Sequence, residues 1–481
     1  MGSAWSASVS VAAASPDILR IAAWAVGSIA VALLLLAFVV LPALRRRARA
    51  AGPLRDDDVA SRSAGPILQP LRLIASLRQH LVRVAERPKV DVVELLDFLV
   101  TQTCAIGASD IHFTPTADGI RVAMRVDGLL YDLGSFSADV RNAMLVRVKV
   151  LAKLNVYKRD SPQDGRFAGG APGRASPLDI RVSILPTIHG EKIVLRFLGR
   201  SSIPYDLDHL GMDPETLERY RLLCARPQGM ILVTGPTGSG KTTTMYASLA
   251  AARERRGAGV NIVTIENPVE YVVPYLNQTQ VNEETGLTFA AGLRSVLRQD
   301  PNVIMVGEIR DKETAEIAMQ AGLTGQLIFS TVHAESSAGV ITRLLNMGVE
   351  PFVLASAVAA VVGQRLVRRI CPACITRADP DAGQLAQLKR LGVAPHFLDG
   401  PYWKGNGCDA CLGMGVAGRT GLFELLELCD SLRDLVVKQV PTQQLHAEAQ
   451  ARGMRPLLVA GLEHARSGAV PLDEVLASVG T

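Results

Sequence analysis

One uncharged apolar run, Ile21 to Leu44, interrupts a chain whose other hydrophobic positions are periodic. At 1.5 Å rise per residue its 24 residues suffice to cross about 30 Å of hydrocarbon as a helix. Arg45, Arg46, Arg47 and Arg49 follow it directly, against only Asp17 and Arg20 before it, so the positive-inside rule places the amino terminus outside and everything after Arg45 in the cytoplasm. A cleaved signal peptide would carry its charges ahead of a shorter apolar segment. The pattern therefore predicts a retained single-span anchor over residues 1–50, with Pro42 near its cytoplasmic end.

From Ala51 to about Pro70 the chain is rich in Arg, Asp, Gly and Pro and has no period, which reads as a linker. Helical spacing follows over Leu71 to Val84 and Val90 to Thr103. Strand-like alternation then takes over at Ile120 to Val126, Asp179 to Ile184 and Lys192 to Leu198, with a helical stretch around Arg141 to Leu154. Residues 51–89 are thus a linker and helical region, and 90–205 a small α+β domain. Beyond 206 the pattern changes to short, largely apolar runs typical of a buried parallel sheet: Met230 to Thr234, Asn261 to Ile265, Val303 to Gly307 and Leu327 to Thr331. An α/β class follows for residues 206–481.

Composition adds bounds. The 481 residues suggest about three domains, and 48% hydrophobic against 20% charged residues excludes long disordered tails. A net charge of +5, with no concentrated basic stripe in the soluble part, gives no footprint for nucleic acid. No repeat of 20–50 residues is visible, which excludes a solenoid.

The first apolar run of the α/β segment leads into Gly235-Pro236-Thr237-Gly238-Ser239-Gly240-Lys241-Thr242-Thr243, a G-x-x-x-x-G-K-[ST] sequence between strand and helix. Small residues let backbone N–H groups wrap a phosphate at a helix amino terminus, Lys241 neutralises β- and γ-oxygens, and the Thr242 hydroxyl can ligate Mg²⁺. Hydrolysis further needs an acid at the end of a neighbouring strand. The second run delivers Glu266 and Glu270, the third Glu308 with Arg310 and Asp311 behind it, and the fourth His333. Any of these acids could instead cap a helix, and His333 could be structural.

Longer stretches carry a resemblance. Thr264 to Tyr271, Leu293 to Asp311 and Ser330 to Ala334 look like the Asp box, Walker B and His box of the bacterial secretion ATPases, the superfamily that powers type II secretion and type IV pili. Ala108 to Phe113, Arg125 to Gly128 and Pro162 to Phe167 resemble its smaller, PAS-like ATPase-adjacent domain. The likeness runs from about Val90 to Gly468. It implies a RecA-like P-loop NTPase domain, ATP and Mg²⁺ as ligands, Glu308 acting on the attacking water, Glu270 assisting, and His333 sensing the γ-phosphate. It also implies arginines closing on the nucleotide: Arg166 and Arg181 from the small domain, and Arg294 and Arg298, four apart and so on one face of any helix containing them. Asn267 stands where the Asp box commonly has Asp, and Gln326 where an earlier His is frequent.

Cys371-x-x-Cys374 and Cys408-x-x-Cys411 are separated by 33 residues, in a part assigned to the reducing cytoplasm. Four thiolates so spaced suit a tetrahedral structural Zn²⁺, within a subdomain of about residues 365–420 followed by C-terminal helices. The resemblance strengthens this, because assembly-type members carry the tetracysteine segment and retraction-type members lack it. Cys104, Cys224 and Cys429 read as small core hydrophobes.

Together these imply an ATP-hydrolysing motor, working as a homo-hexamer on an inner-membrane platform protein to assemble a pilus or pseudopilus, with no nucleic acid as client. It would sit at the bacterial inner membrane with its ATPase domains cytoplasmic. A DNA-uptake or conjugation-type motor of the same superfamily is the alternative.

Overall fold

The structure, a computed structural model, describes residues 65–169, 178–197 and 206–480. The apolar run Ile21 to Leu44, and the anchor expected there, lie outside these residues. Among the described residues no helix is long and apolar enough to cross a membrane.

The amino-terminal lobe begins with helix α1, Gly65–Ala85. It starts before Pro70, which the sequence pattern places in the linker. The reason is packing: Leu68, Leu71, Ile74, Leu77, Leu81 and Val84 form one buried stripe, and the apolar gain of continuing it outweighs the ladder bond that Pro70 cannot donate. Helix α2, Val92–Ile106, is capped by Asp91, whose Oδ1 accepts from the backbone N–H of Val93 at 2.8 Å, and ends at Gly107 with φ 75°. That left-handed turn aims the chain into β1.

Six antiparallel strands follow, β1 Asp110–Pro115, β2 Gly119–Val126, β3 Leu129–Ser137, β4 Gln163–Gly169, β5 Leu178–Thr187 and β6 Gly190–Phe197, in spatial order β3-β2-β1-β6-β5-β4. Helix α3, Ala138–Leu151, links β3 to β4. Period-2 alternation sorts the two faces. Ile111, Phe113, Val122, Met124, Val182 and Leu195 enter the core with the α1 stripe. Residues directly opposite one another share a face, and the register pairs Arg166 with Arg181, Arg181 with Arg196, Arg196 with Asp110, and Asp110 with Arg125. One transverse row of the sheet therefore carries four arginines and one carboxylate.

The second lobe opens with α4, Pro214–Cys224. Its sheet contains β7 Gly229–Thr234, β8 Ile262–Glu266, β9 Asn277–Gln280, β10 Val303–Val306, β11 Leu327–Thr331, β12 Val358–Ile370 and β15 Val416–Glu427. The order is β15-β12-β7-β11-β10-β8-β9, parallel throughout except for edge strand β15. The β7, β8, β10 and β11 strands are buried along their whole length, as their largely apolar, β-branched composition requires when helices cover both faces. Met230, Leu232, Ile265, Ile304 and Ile328 pack on one side, and Ile231, Val233, Ile262, Met305 and Phe329 on the other. Helices α5 Lys241–Arg256, α6 Phe289–Val296, α7 Lys312–Leu323, α8 Ser337–Asn346 and α9 Pro351–Ala357 connect these strands.

Between β12 and β15 the chain makes an excursion containing the short pair β13, Ile375–Ala378, and β14, Tyr402–Gly405, with α10, Ala382–Arg390, between them. The chain ends in α11 Asp430–Val437, α12 Thr442–Ala451, α13 Leu457–Arg466 and α14 Leu472–Val479. The lobes meet where α1 packs against Cys371, Cys411 and Ala417, and where Arg419 Nε donates to Asp127 Oδ1 at 3.1 Å.

Candidate functional site

Every parallel strand of the second lobe ends on the same rim, and the candidate residues stand there. The β7 strand runs into Gly235 to Gly240, where Gly235, Gly238 and Gly240 have φ of 154°, 79° and 88°. A Cβ on Gly235 would meet the Gln364 carbonyl oxygen at 2.4 Å, so the position requires glycine on two counts. The loop delivers the first turn of α5 with its N–H groups unpaired by the helix, an arrangement that attracts anions. Pro236 to Gly238 are exposed, and Lys241, Thr242 and Thr243 are half-buried. Lys241 Nζ donates to the carbonyls of Gly235 and Pro236 at 2.9 and 3.0 Å, folded back over its own loop. Burial holds its pKa below the usual range; Glu308 opposes the shift and Arg365 adds to it. The buried Ser239 Oγ lacks a hydrogen-bond partner, another polar group free for a ligand of this loop. The loop's chemistry thus fits a polyphosphate, and the adjoining Thr242 hydroxyl fits a phosphate-bound Mg²⁺.

Glu308 follows β10 two residues on. Gly307 N–H bonds the Ile265 carbonyl at 2.8 Å, and Thr331 Oγ1 donates to the Gly307 carbonyl at 2.7 Å, so both flanking strands fix its backbone. Its largely buried carboxylate pairs with the Arg310 guanidinium through Oε1 and lies 3.7 Å from His333 Nε2 through Oε2. Burial lowers the His333 pKa and the Lys241 charge lowers it further, against the pull of Glu308, and the net lowering favours neutral imidazole. Lys241, Glu308, Arg310 and His333 thus form one charged cluster. Asp311 stands apart from it. Its oxygens accept from Thr314 N and Thr314 Oγ1 at 2.8 and 2.9 Å, which makes it the cap of α7.

The two acids at and beyond the end of β8 have separated roles. Glu266 is buried and accepts from Tyr246 Oη at 2.5 Å, Thr264 Oγ1 at 2.6 Å and Gln278 Nε2 at 3.1 Å. Three donors on one carboxylate make it a packing and hydrogen-bonding centre, so the sequence reading that gave it an acid role at the rim is not matched by its surroundings. Glu270 is half-buried, and burial raises its pKa while Arg181 and Arg196 act in the opposite sense. Glu270 therefore lies in the field of the arginine row.

Arg166 and Arg181 project from neighbouring strands into a cavity of about 720 Å³, whose other walls include Asp179, Asn267, Pro268 and Gln280 to Glu284. Arg294 and Arg298 are placed differently. Helix α6 stops at Val296, so Arg298 lies beyond it. Arg294 is paired with Glu313, and Arg298 donates back to the Arg294 carbonyl at 2.9 Å. The four arginines are not gathered at one point, and those two guanidinia are engaged within their own lobe. Gln326 directly precedes β11, at the end of that strand away from the rim.

Sequence reading passed over the residues that β12 brings to the same rim. Gln364 Nε2 donates to the Ser239 carbonyl at 2.8 Å, and its Oε1 accepts from Thr244 Oγ1 at 2.8 Å. Arg365 reaches the Glu335 carbonyl at 2.8 Å, just past His333. The signal was present, since Val358 to Gly363 is another apolar run that delivers polar residues.

A second cluster lies at the far end of β12. The sulfurs of Cys371, Cys374, Cys408 and Cys411 lie within 4.8 Å of one another and form no disulfide. Cys374 to Cys411 is 3.8 Å and Cys408 to Cys411 is 3.7 Å. A tetrahedron with Zn–S bonds of about 2.3 Å has an edge of about 3.8 Å, so the four thiols fit that ion. Backbone N–H groups of Cys408 and Gly415 each donate to Cys411 Sγ at 3.2 Å, a second shell suited to a thiolate. Of the isolated cysteines, Cys224 is buried and Cys104 half-buried, while Cys429 is exposed at the start of α11, contrary to the core role expected for it.

Residues 86–477 match the family described as type II/IV secretion system protein, and the chain belongs to that family. It is 43% identical over 385 residues to the type II secretion system protein HxcR of Pseudomonas aeruginosa, covering 80% of this chain and 76% of that one. It is 41% identical over 387 residues to the type IV pilus assembly ATPase PilB of Myxococcus xanthus, covering 80% and 67%. Among solved structures it is similar to the pilus retraction motor PilT with bound ADP, with a TM-score of 0.54 at 25% identity, covering 79% of this chain and 96% of that one.

Proposed function

We propose that this member of the type II/IV secretion system family is an ATPase that powers assembly of a pilus or pseudopilus at the bacterial inner membrane. The observation that carries the reading is the rim cluster: a glycine loop with left-handed turns, Lys241, Glu308 and His333 delivered by adjacent parallel strands.

In this reading the loop N–H groups and Lys241 hold the β- and γ-phosphates, and binding draws Lys241 Nζ off the Gly235 and Pro236 carbonyls. Thr242 would hold Mg²⁺, which would supply charge neutralisation to the phosphates. Glu308 orients and deprotonates the attacking water, and neutral His333 donates toward the γ-phosphate. Glu270, with a raised pKa, positions water or Mg²⁺ from the arginine side. Arg166 and Arg181 stabilise charge developing in transfer, while Arg294 and Arg298 contribute after exchanging their present partners. Triphosphate and diphosphate differ in what these arginines can reach, so hydrolysis shifts the equilibrium between closed and open lobes.

A homo-hexameric ring acting on an inner-membrane platform protein is the assembly proposed, with Ile21 to Leu44 tethering the ring and raising its local concentration. The domain division is 1–50 anchor, 51–89 linker and helices, 90–205 small domain and 206–481 motor. Zn²⁺ on Cys371, Cys374, Cys408 and Cys411 is structural. Phosphate release from MgATP by the full-length chain in liposomes tests the reading: activity that disappears in Lys241→Ala supports it, and equal release by both proteins overturns it.

A further inference from the structure

We propose that Gln364 is a positioning residue of the nucleotide site, holding the P-loop in its phosphate-binding form through the Ser239 carbonyl. The inference rests on the reading that residues 235–243 bind ATP.

A loop whose consecutive N–H groups point inward must turn its carbonyls outward, where any buried one needs a donor. The first intrahelical bond of α5 runs from Thr244 N to the Gly240 carbonyl, so the Ser239 carbonyl falls outside the helix ladder. Gln364 Nε2 donates to it at 2.8 Å. The same side chain is tied at its other atom by Thr244 Oγ1, one turn into the helix, at 2.8 Å. One amide therefore bridges the last residues of the loop and the first turn that follows.

Gln364 is 2% exposed, which leaves its amide no exchange with water. Its backbone also closes on the loop's other end, since a Cβ on Gly235 would meet the Gln364 carbonyl oxygen at 2.4 Å, while its side chain closes on the helix end, where a Cβ on Gly240 would meet Nε2 at 2.9 Å. The β12 strand pairs with β7 up to Gly363 opposite Thr234, so Gln364 is delivered at the point where β7 gives way to the loop. Gln364 touches no catalytic atom in this scheme. It acts through the loop backbone, which contacts ground state and transition state alike, and so it governs KM more than kcat.

The test uses the full-length protein and a fluorescent ADP analogue, with MgATP turnover beside it. Gln364→Met keeps the length and removes both hydrogen bonds, and is expected to weaken nucleotide binding about tenfold or more while kcat at saturating ATP falls less. Gln364→Glu keeps the acceptor for Thr244 but sets a carboxylate against the Ser239 carbonyl, and should bind at least as weakly as the Met variant. Thr244→Val, nearly isosteric, should weaken binding roughly two- to fivefold and keeps the test open if a Gln364 variant fails to fold. Wild-type affinity in the folded variants overturns the proposal. Lys241→Ala separates the two failures, because nucleotide binding undiminished there means that the loop is not the site at all.

Discussion

Nε2 of His333 stands 3.7 Å from Oε2 of Glu308, at the ends of adjacent parallel strands. That separation exceeds a hydrogen bond and sets a carboxylate beside an imidazole that its surroundings keep neutral. An acid paired with Arg310 through one oxygen keeps the other available to act as a base. Glu308→Gln is therefore expected to bind ATP with near-normal affinity and to lose turnover by about 100-fold or more. Nucleotide binding and single-turnover phosphate release together check this, and turnover at the wild-type rate would remove Glu308 from the mechanism.

The carboxylate that ends β8 and the one four residues beyond it should respond in opposite ways. Glu266 is surrounded by three donors, so Glu266→Gln brings an amide N–H against at least one of them and should destabilise the fold by about 2 kcal/mol. Glu270→Gln should leave the unfolding midpoint in place and reduce kcat. Chemical denaturation alongside steady-state kinetics distinguishes them; a stable, slow Glu266 variant would reverse the assignment.

His446, on α12, faces the buried Glu424 of β15 at 3.3 Å, and this hydrogen bond raises its pKa. Glu424 Oε1 also accepts from the Ser337 N–H at 3.1 Å and from the Ser337 hydroxyl, so the pair joins the C-terminal helices to the start of α8. A raised folded-state pKa contributes stability that is complete below the unfolded value of about 6.5 and is lost as pH rises through the folded value. Wild-type protein should therefore lose stability as pH rises above about 6.5 by a component missing from His446→Gln. Parallel denaturation midpoints for the two proteins across that range would contradict it.

Replacing Cys371 and Cys374 together by Ser should abolish zinc in elemental analysis and lower the melting temperature, since Cys371 and Cys411 belong to the same core as the α1 stripe. Loss of metal without any change in melting would show that the ion does not support that core. Full zinc content in the variant would remove it from these thiols.

What the sequence made readable was whatever is local. Largely apolar runs mark β7, β10 and β11 to within a residue, because a strand buried on both faces leaves little freedom in its composition. The P-loop was readable because its glycines and lysine are contiguous. Gln364 lies 120 residues beyond Thr244 and meets it only through the pairing of β12 with β7, which no local pattern records. Glu266 was misjudged for a related reason: its three donors come from Tyr246, Thr264 and Gln278, and two of them arrive from other elements. The arginine row was visible as separate residues, but its alignment is a matter of strand register, which becomes definite only when one face of the sheet is buried.

The cysteine cluster lies at the base of the excursion between β12 and β15, with Cys371 directly after Ile370 and Cys411 five residues before Val416. Gly405 and Gly415 cross there so closely that a Cβ on Gly405 would fall 1.9 Å from the Gly415 carbonyl oxygen. A crossing clasped in this way fixes both ends of residues 375–407, and the segment then folds back on the sheet. Its Leu388, Phe397 and Tyr402 are buried with Val367 of β12, Leu422 of β15 and side chains of α13 and α14. Val367 lies three residues beyond Gln364 on the same strand. The cysteine excursion therefore braces the strand that holds the P-loop, and a change in its packing reaches β12 within one strand length of the nucleotide loop.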